Sequence, residues 1–340
     1  FVPEAWEEIQ MKTAVIGCGG ISRVHMQALS ELDLSEPVAF VDIKPERAEK
    51  MAAEHGGRAY TDYKEMLDKE HPDIVHICTP HYLHVPMARE CVARGINVLM
   101  EKPPAMTHKE LDDFLAMPKN VQVGVCFQNR YNRNVQLVRK KLLSGEAGAV
   151  LGARAFVTWK RGEKYYTESG WRGTWETEGG GVLINQSIHT LDLLIYLLGQ
   201  PKAVEGSVHN HHLKETIEVE DTAEAYIQFD GCTALFYATT ANCTDSPVMI
   251  DIVCENMTFR LEGAQLTCIK DGKSEEIHFD EIEHEGKACY GEGHRALITD
   301  FYHCVKDGQP FPIDYAEASH TLNLMLGIYE SDKTGAPVSL

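Results

Sequence analysis

No stretch of this 340-residue chain is apolar for the length a membrane-spanning helix needs. The longest candidate, LLIYLLG at 193–199, is short and directly follows Asp192. Net positive charge is also missing: 32 basic residues stand against 51 acidic ones, a formal charge of −19. That balance opposes nonspecific attraction to nucleic acid or to an anionic membrane surface. The ten cysteines include no C-x-x-C pair, and several sit inside apolar runs such as VHICTP and VGVCFQ. They read as reduced, buried small hydrophobes of a cytoplasmic protein. There is no internal repeat and no low-complexity tract. The opening FVPEAWEEIQ is acidic and lacks the basic-then-apolar plan of a secretion signal. Trp6-Glu7-Glu8 can be encoded by a purine-rich ribosome-binding sequence, which points to Met11 as the natural start and to residues 1–10 as a non-native or disordered extension.

What is present is a change of rhythm. A chain of this length exceeds one ordinary core, so two domains are expected. From Lys12 short apolar strands alternate with helical stretches: TAVIG, SRVHMQALSEL, PVAFVD, ERAEKMAAEHG, DIVHICTP, HVPMARECVARG and INVLMEKP. This is the βαβ pattern of a doubly wound parallel sheet, here assigned to residues 11–125. Thr107 with Glu110 fits a capping box. Beyond it, in residues 126–340, longer alternating segments such as TAEAYIQF, CTALFYATT and MTFRLEG predict antiparallel strands of one larger sheet half covered by helices. The C-terminal helical stretch can pack back on the first domain.

GCGGIS, Gly17 to Ser22, lies between the first strand and the first helix. In the dinucleotide fingerprint the first glycine makes the tight turn and the second lets the backbone approach a pyrophosphate at the helix N-terminus. Gly17, Gly19, Gly20 and Ile21 are therefore assigned to the cofactor, with Ser22 departing from the third small position. Asp42 ends the second strand about 20 residues later, where a carboxylate binds the adenosine ribose hydroxyls and favours NAD over NADP. Lys44 and Arg47 nearby leave that preference less than strict. Ligands of an open α/β sheet bind beyond the carboxyl ends of its strands, which brings in Thr79, Pro80 and His84 from CTPHYLH and Glu101 and Lys102 from MEKPPA.

The second half carries EGGGVLINQSIHTLDLLIYLLG, 178–199. On a continuous α-helix, Asn185, His189, Asp192 and Tyr196 fall in one polar stripe between apolar flanks, with Gly199 as the stop. A lone histidine there would read as a core residue satisfied locally, but four polar groups in register point to a site. Gly179 to Gly181 let another group approach the backbone closely. Upstream, TWKRGEKYYTESGWRGTW holds three of the four tryptophans, with Tyr165, Tyr166 and Arg172 among them. Aromatic faces suit a sugar ring and arginine a phosphate or carboxylate. Packing of Trp159 and Trp175 in the core, with Arg172 on the cofactor, would account for the same residues. HNHH, His209 to His212, reads as a solvated loop; no metal site is assigned.

In combination, GCGGIS, TPHYLH, EKPP and GGGVLINQSIHTLD resemble the Gfo/Idh/MocA oxidoreductase family, over essentially Met11 to the C-terminus. The resemblance implies an N-terminal Rossmann domain, a C-terminal α/β domain with a large open antiparallel sheet, and homo-dimers or homo-tetramers built across that sheet. It implies NAD as cofactor, Lys102 as the catalytic lysine and His189 as the helix histidine. It also implies a position near the substrate pocket for His294. The family's helix has aspartate where this chain has Asn185, which can orient a hydroxyl but cannot take a proton. Acid/base work then falls to His189, an imidazole titrating near neutrality and oriented by Asp192. Lys102 stabilises developing charge on the same oxygen. The substrate contacts are Tyr165, Trp171, Arg172, Asn185, Asp192 and His294, on a secondary alcohol of a sugar, cyclitol or sugar nucleotide. Two alternatives stay open: a glycosidase using NAD for transient oxidation, and a dinucleotide sensor without turnover.

Overall fold

The period-two and period-3.6 segments of the first third fold as their spacing predicts. In the computed structural model, which describes residues 10–280 and 291–340, strand β1 (Met11–Ile16) is followed by α1 (Gly20–Ser30) and β2 (Ser35–Val41). Then come α2 (Pro45–His55), β3 (Arg58–Tyr60), α3 (Tyr63–Glu70) and β4 (Ile74–Ile77). The unit ends with α4 (His84–Ala93), β5 (Asn97–Met100), α5 (His108–Leu115) and β6 (Val123–Val125). All pairs are parallel, in the order β3-β2-β1-β4-β5-β6. β1 and β4, the two central strands, are buried except at Lys12 because helices cover both faces. The order reverses at β1, and β1 and β4 both end at the edge where GCGGIS and CTPHYLH emerge. Residues 1–9, most of the expected extension, and Cys289 lie outside the described residues.

The second sheet follows α6 (Arg133–Leu143) and contains, among the described residues, nine strands. They are β7 (Val150–Thr158), β8 (Ala203–His209), β9 (Thr222–Gln228), β10 (Thr233–Thr239), β11 (Met249–Cys254), β12 (Thr258–Glu262), β13 (Gln265–Lys270), β14 (Lys273–Ile277) and β15 (Val338–Ser339). Only β7 and β10 pair in parallel; the other pairs are antiparallel. Alternation decides the two faces. Ala155, Val157, Ile250, Ile252, Phe236 and Ile227 are buried, while Tyr226, Leu235 and Val253 on the opposite face are 39, 56 and 42 % exposed. On that open face Asp251 takes hydrogen bonds from both Arg154 and Arg260.

Helices then close the buried side: a short α7 (Glu163–Thr167), α8 (Ile188–Leu198), α9 (Gly293–Asp307) and α10 (Tyr315–Thr334). α10 packs on β8 and α8 and also on α5 and β6, and α9 packs on α1, so both C-terminal helices return to the parallel sheet. At the start of α5, Thr107 Oγ1 accepts from Glu110 N at 3.2 Å, but the Glu110 carboxylate accepts from Met106 N, one residue before the cap. No helix among the described residues is long and apolar enough to cross a membrane. Cys18, Cys78, Cys91, Cys126, Cys254 and Cys304 are buried as expected; Cys243 is exposed and Cys232 and Cys268 are half-buried, because they sit at strand ends, in a turn or on an outer strand.

Candidate active site

The cofactor edge is built by backbone. Gly17 has φ +93° and an added Cβ would lie 2.5 Å from the Cys78 carbonyl oxygen, so only glycine lets β1 turn beside β4. Gly19 caps α1, and side chains at Gly19 or Gly20 would meet nothing within 4 Å, which leaves the loop backbone open to a pyrophosphate. Ser22, the departure from the fingerprint, is buried and donates to Gly19 O at 2.7 Å. Asp42 accepts from Cys18 N and Lys44 N, both at 2.9 Å, so the carboxylate is fixed at the end of β2. Arg47 lies 3.9 Å from it. A glycine turn, a helix start without a side-chain cap and a braced carboxylate together fit a dinucleotide: the loop N–H groups would donate to a pyrophosphate and the carboxylate would accept from ribose hydroxyls.

Across the cleft, Lys102 is half-buried and donates to Asn185 O at 2.9 Å and to Asn185 Oδ1 at 3.3 Å. Asn185 Nδ2 donates in turn to Glu178 Oε1 at 2.5 Å. Burial raises Glu178 to about 7, against bonds from Gly173 N and Asn185 and the charge of Arg172. His189 is half-buried and packs edge-on against Phe127 at 5.9 Å; its Nδ1 is buried with no hydrogen-bond partner among the described residues. Burial and the neighbouring Lys102 push its pKa down to about 3. The expectation of a ring titrating near neutrality is therefore corrected: desolvation and a like charge keep it neutral.

The stripe on a single helix is also corrected. Residues 182–186 form a wider π-turn and Ser187 breaks it from α8, so Asn185 does not share one helical row with the residues after His189. Gly181 causes the close approach behind this: an added Cβ would sit 1.9 Å from Glu220 O. Asp192 neither orients His189 nor lines the cleft. It is fully buried and accepts from Arg130 Nε and Nη2 at 2.8 and 2.7 Å and from Thr321 Oγ1 at 2.9 Å. Tyr196 follows it, lying under Arg130 and Arg139. The physical reason is the buried guanidinium of Arg130, which arrives from a distant segment and, with Glu317 on its other side, claims the carboxylate.

The aromatic segment assembles as one cluster. Arg172 lies over the rings of Tyr165 and Trp171 at 4.7 and 4.5 Å, Arg161 over Trp159 and Tyr165, and Gln186 donates to the Tyr165 hydroxyl. Trp159 is packed, donating to Ser246 O, whereas Trp175 is 47 % exposed and meets Tyr329 edge-on at 5.5 Å. His81, which the sequence reading passed over beside His84, joins this cluster: its ring meets Trp171 edge-on at 4.7 Å and Nδ1 donates to Glu178 O at 2.7 Å. The signal was the repeated histidine of HYLH.

Some expected cofactor residues stand one layer back. Thr79 and Pro80 are half-buried at the end of β4. His84 is fully buried with Nδ1 2.8 Å from Pro103 O and Nε2 2.9 Å from Thr79 O, so it ties the two loops together from behind. Glu101 is buried and accepts from His25 Nε2 at 3.0 Å; burial would raise it, but His25, His294 and Lys102 bring it down to about 2. From there a buried chain runs through His25 Nδ1 and His76 Nδ1 at 2.8 Å to Tyr302 at 3.0 Å and Thr13 at 2.7 Å. Burial, with His25 adjoining, drives His76 well below its ordinary pKa. His294 packs against His25, and its donor atoms with those of His25 and Glu101 lie within 4.8 Å of one another. His25 and His76 carried no motif that singled them out. The HNHH segment ends β8 at His209 and leaves His211 and His212 exposed.

Comparison with known proteins agrees with this fold. Residues 11–128 match the oxidoreductase family with an NAD-binding Rossmann fold, and residues 135–260 match the GFO/IDH/MocA C-terminal domain. The chain is 27 % identical to D-glucoside 3-dehydrogenase of Escherichia coli (strain K12), with 97 % of each chain covered. It is 27 % identical to glucose-6-phosphate 3-dehydrogenase of Bacillus subtilis (strain 168) over 64 % of each. Among solved structures, the WlbA dehydrogenase from Bordetella pertussis in complex with NADH and UDP-GlcNAcA superposes with a TM-score of 0.85 at 28 % identity, covering 97 % of this chain and 99 % of that one. With both domain matches, the six-stranded Rossmann sheet and the mostly antiparallel second sheet in hand, the chain belongs to the Gfo/Idh/MocA family of NAD-binding oxidoreductases.

Proposed function

We propose that this NAD-dependent sugar dehydrogenase acts on a secondary ring alcohol of a sugar or sugar nucleotide, with Lys102 and His189 handling the alcohol oxygen and its proton. The observation that carries the reading is the junction of Lys102 with Asn185 across the cleft, beside a neutral His189. NAD, when bound, supplies the hydride acceptor in oxidation and the donor in reduction. The Lys102 ammonium donates to the alcohol oxygen and stabilises negative charge that develops there. His189 presents a neutral ring throughout the neutral pH range, and that developing negative charge raises its proton affinity at the moment the O–H proton leaves. Oxidation of the carbinol then gives a ketone, the proton remaining on His189 until exchanged with solvent.

Tyr165 and Trp171 offer aromatic surface to the sugar, and Arg172 beside them favours an anionic handle, a carboxylate or a phosphate, whereas Arg161 is already paired with Asp245 at 2.9 Å. Relatives acting on glucosides and on glucose 6-phosphate, and one bound to UDP-GlcNAcA, define the panel. Residues 11–125 carry the cofactor and 126–340 the substrate. The open sheet face with Tyr226, Leu235 and Val253 is the seat of a homo-dimer or homo-tetramer, in the cytoplasm as the six buried free cysteines suggest. Light scattering on the purified protein checks the assembly.

The test follows NADH absorbance with NAD and methyl glucosides, glucose 6-phosphate and UDP-GlcNAcA. Lys102→Ala and His189→Ala should each lower the turnover of the best substrate by about 10²–10⁴-fold. Turnover unchanged in both variants overturns the assignment. Product without net NADH would instead indicate transient oxidation in a glycosidase, and tight NADH binding without turnover a sensor.

A further inference from the structure

Asn185 is an ambiguous partner for a lysine. One end of its amide accepts and the other donates, and rotation about the last side-chain bond exchanges them. Only Oδ1 can hold an ammonium; Nδ2 turned the same way would face Lys102 with a second donor. Something must choose the end, and Glu178 is placed to do so. Its Oε1 lies 2.5 Å from Asn185 Nδ2, its Oε2 accepts from Gly173 N at 2.6 Å, and the side chain has no exposed surface. An ionised carboxylate can only accept, so this contact admits Nδ2 alone and turns Oδ1 onto Lys102 Nζ.

We propose that Glu178 is a positioning residue for the reaction: its carboxylate fixes the orientation of the Asn185 amide, which in turn holds the Lys102 ammonium through Oδ1. This rests on the reading of Lys102 as the group that meets the alcohol oxygen. A protonated Glu178 could donate to Oδ1, turn the amide and take Oδ1 away from Lys102, while the bond of Lys102 to the Asn185 backbone carbonyl stays. Burial holds Glu178 at about 7, so that change falls in the neutral range. The groups acting on Glu178 are Arg172, Glu220, Tyr166 and Tyr329, with His81 on its carbonyl. Those near Lys102 are Glu101, His81, His84 and His189. The Asn185 amide is hydrogen-bonded to both Glu178 and Lys102.

A double-mutant cycle separates orientation from bracing of the Gly173 turn, because bracing does not depend on the identity of residue 185. In NAD-loaded protein, competitive acetylation of Lys102 by acetic anhydride, read by peptide mass spectrometry across pH 6–9, is compared for wild type, Glu178→Gln, Asn185→Ala and the double variant. Glu178→Gln should change Lys102 reactivity about threefold or more, and by less than about 1.5-fold when Asn185 is already alanine. Turnover of the best panel substrate should show the same pattern, a loss of about 10-fold or more in kcat with KM nearly constant, shrinking toward none in the Asn185→Ala background. An equal effect of Glu178→Gln in both backgrounds, or no effect on Lys102 in either, overturns the inference. Should Glu178→Gln fail to fold, Glu178→Asp repeats the cycle, since it keeps the charge but withdraws it from Nδ2. If wild type turns over no sugar of the panel, the functional reading fails by itself, while the labelling still decides the role of Glu178.

Discussion

Replacing Asp192 by asparagine distinguishes two meanings of one residue. As a group that orients His189 it would matter for turnover, but the structure buries it against Arg130 with side-chain exposures of 1 and 5 %. Arg130 Nε and Nη2 both donate to this carboxylate, and Thr321 adds a third bond. Burial raises Asp192 even so, which shows how much desolvation the pair carries. Asparagine offers one acceptor and turns a donor toward the guanidinium, leaving a buried cation half-matched. Breaking such a pair from one side costs about 3–5 kcal/mol. Unfolding entropy scales to about 0.7 kcal/mol/K for 340 residues, so the melting temperature should fall by about 4–7 °C. The assay is thermal unfolding by circular dichroism beside steady-state kinetics well below the transition. Catalysis should stay within about threefold of wild type. The paired replacement Arg130→Met with Asp192→Leu should recover most of the stability, because an apolar pair removes both desolvation penalties and Glu317, the third member, is 34 % exposed and can be hydrated. An unchanged melting temperature with kcat/KM reduced by about 100-fold would show that Asp192 serves His189 after all.

Glu220, buried and raised to about 7, gives a pH-dependent difference. A carboxyl raised on folding contributes stability that is complete below its unfolded value and lost as pH rises through about 7; Glu220→Gln removes that dependence, so the variant should gain on wild type between pH 5 and 8 by at most roughly 3 kcal/mol. Urea unfolding at the two pH values checks it, and an equal difference at both would refute it. Gly17→Ala forces a Cβ against the Cys78 carbonyl at positive φ; a loss of about 1–3 kcal/mol and weaker NADH binding are expected, and fluorescence titration showing unchanged affinity counts against the turn assignment. Asp42→Ser should weaken NADH by about 10-fold or more while improving NADPH relative to it; an unaltered ratio would remove Asp42 from the ribose.

The βαβ alternation, the glycine turn, Asp42 and the strand-end Lys102 could all be read from the chain because each depends on local rules: period, backbone freedom and position at the end of an apolar strand. The face of the second sheet was similarly written in its alternation. Four features depended on distant segments. Arg130 reaches Asp192 from 62 positions away and takes it out of the site. Gly181 pressed on Glu220 accompanies the wider turn at 182–186, which no 100° periodicity anticipates. His25 and His76 become partners only when α1 crosses β4, and the Asn185 amide bonded to Glu178 meets Lys102 from 83 positions away. Sequence determined which elements form and which loop ends carry chemistry. Tertiary structure decided which polar groups face each other, because desolvation makes every buried charge seek a partner wherever the fold supplies one.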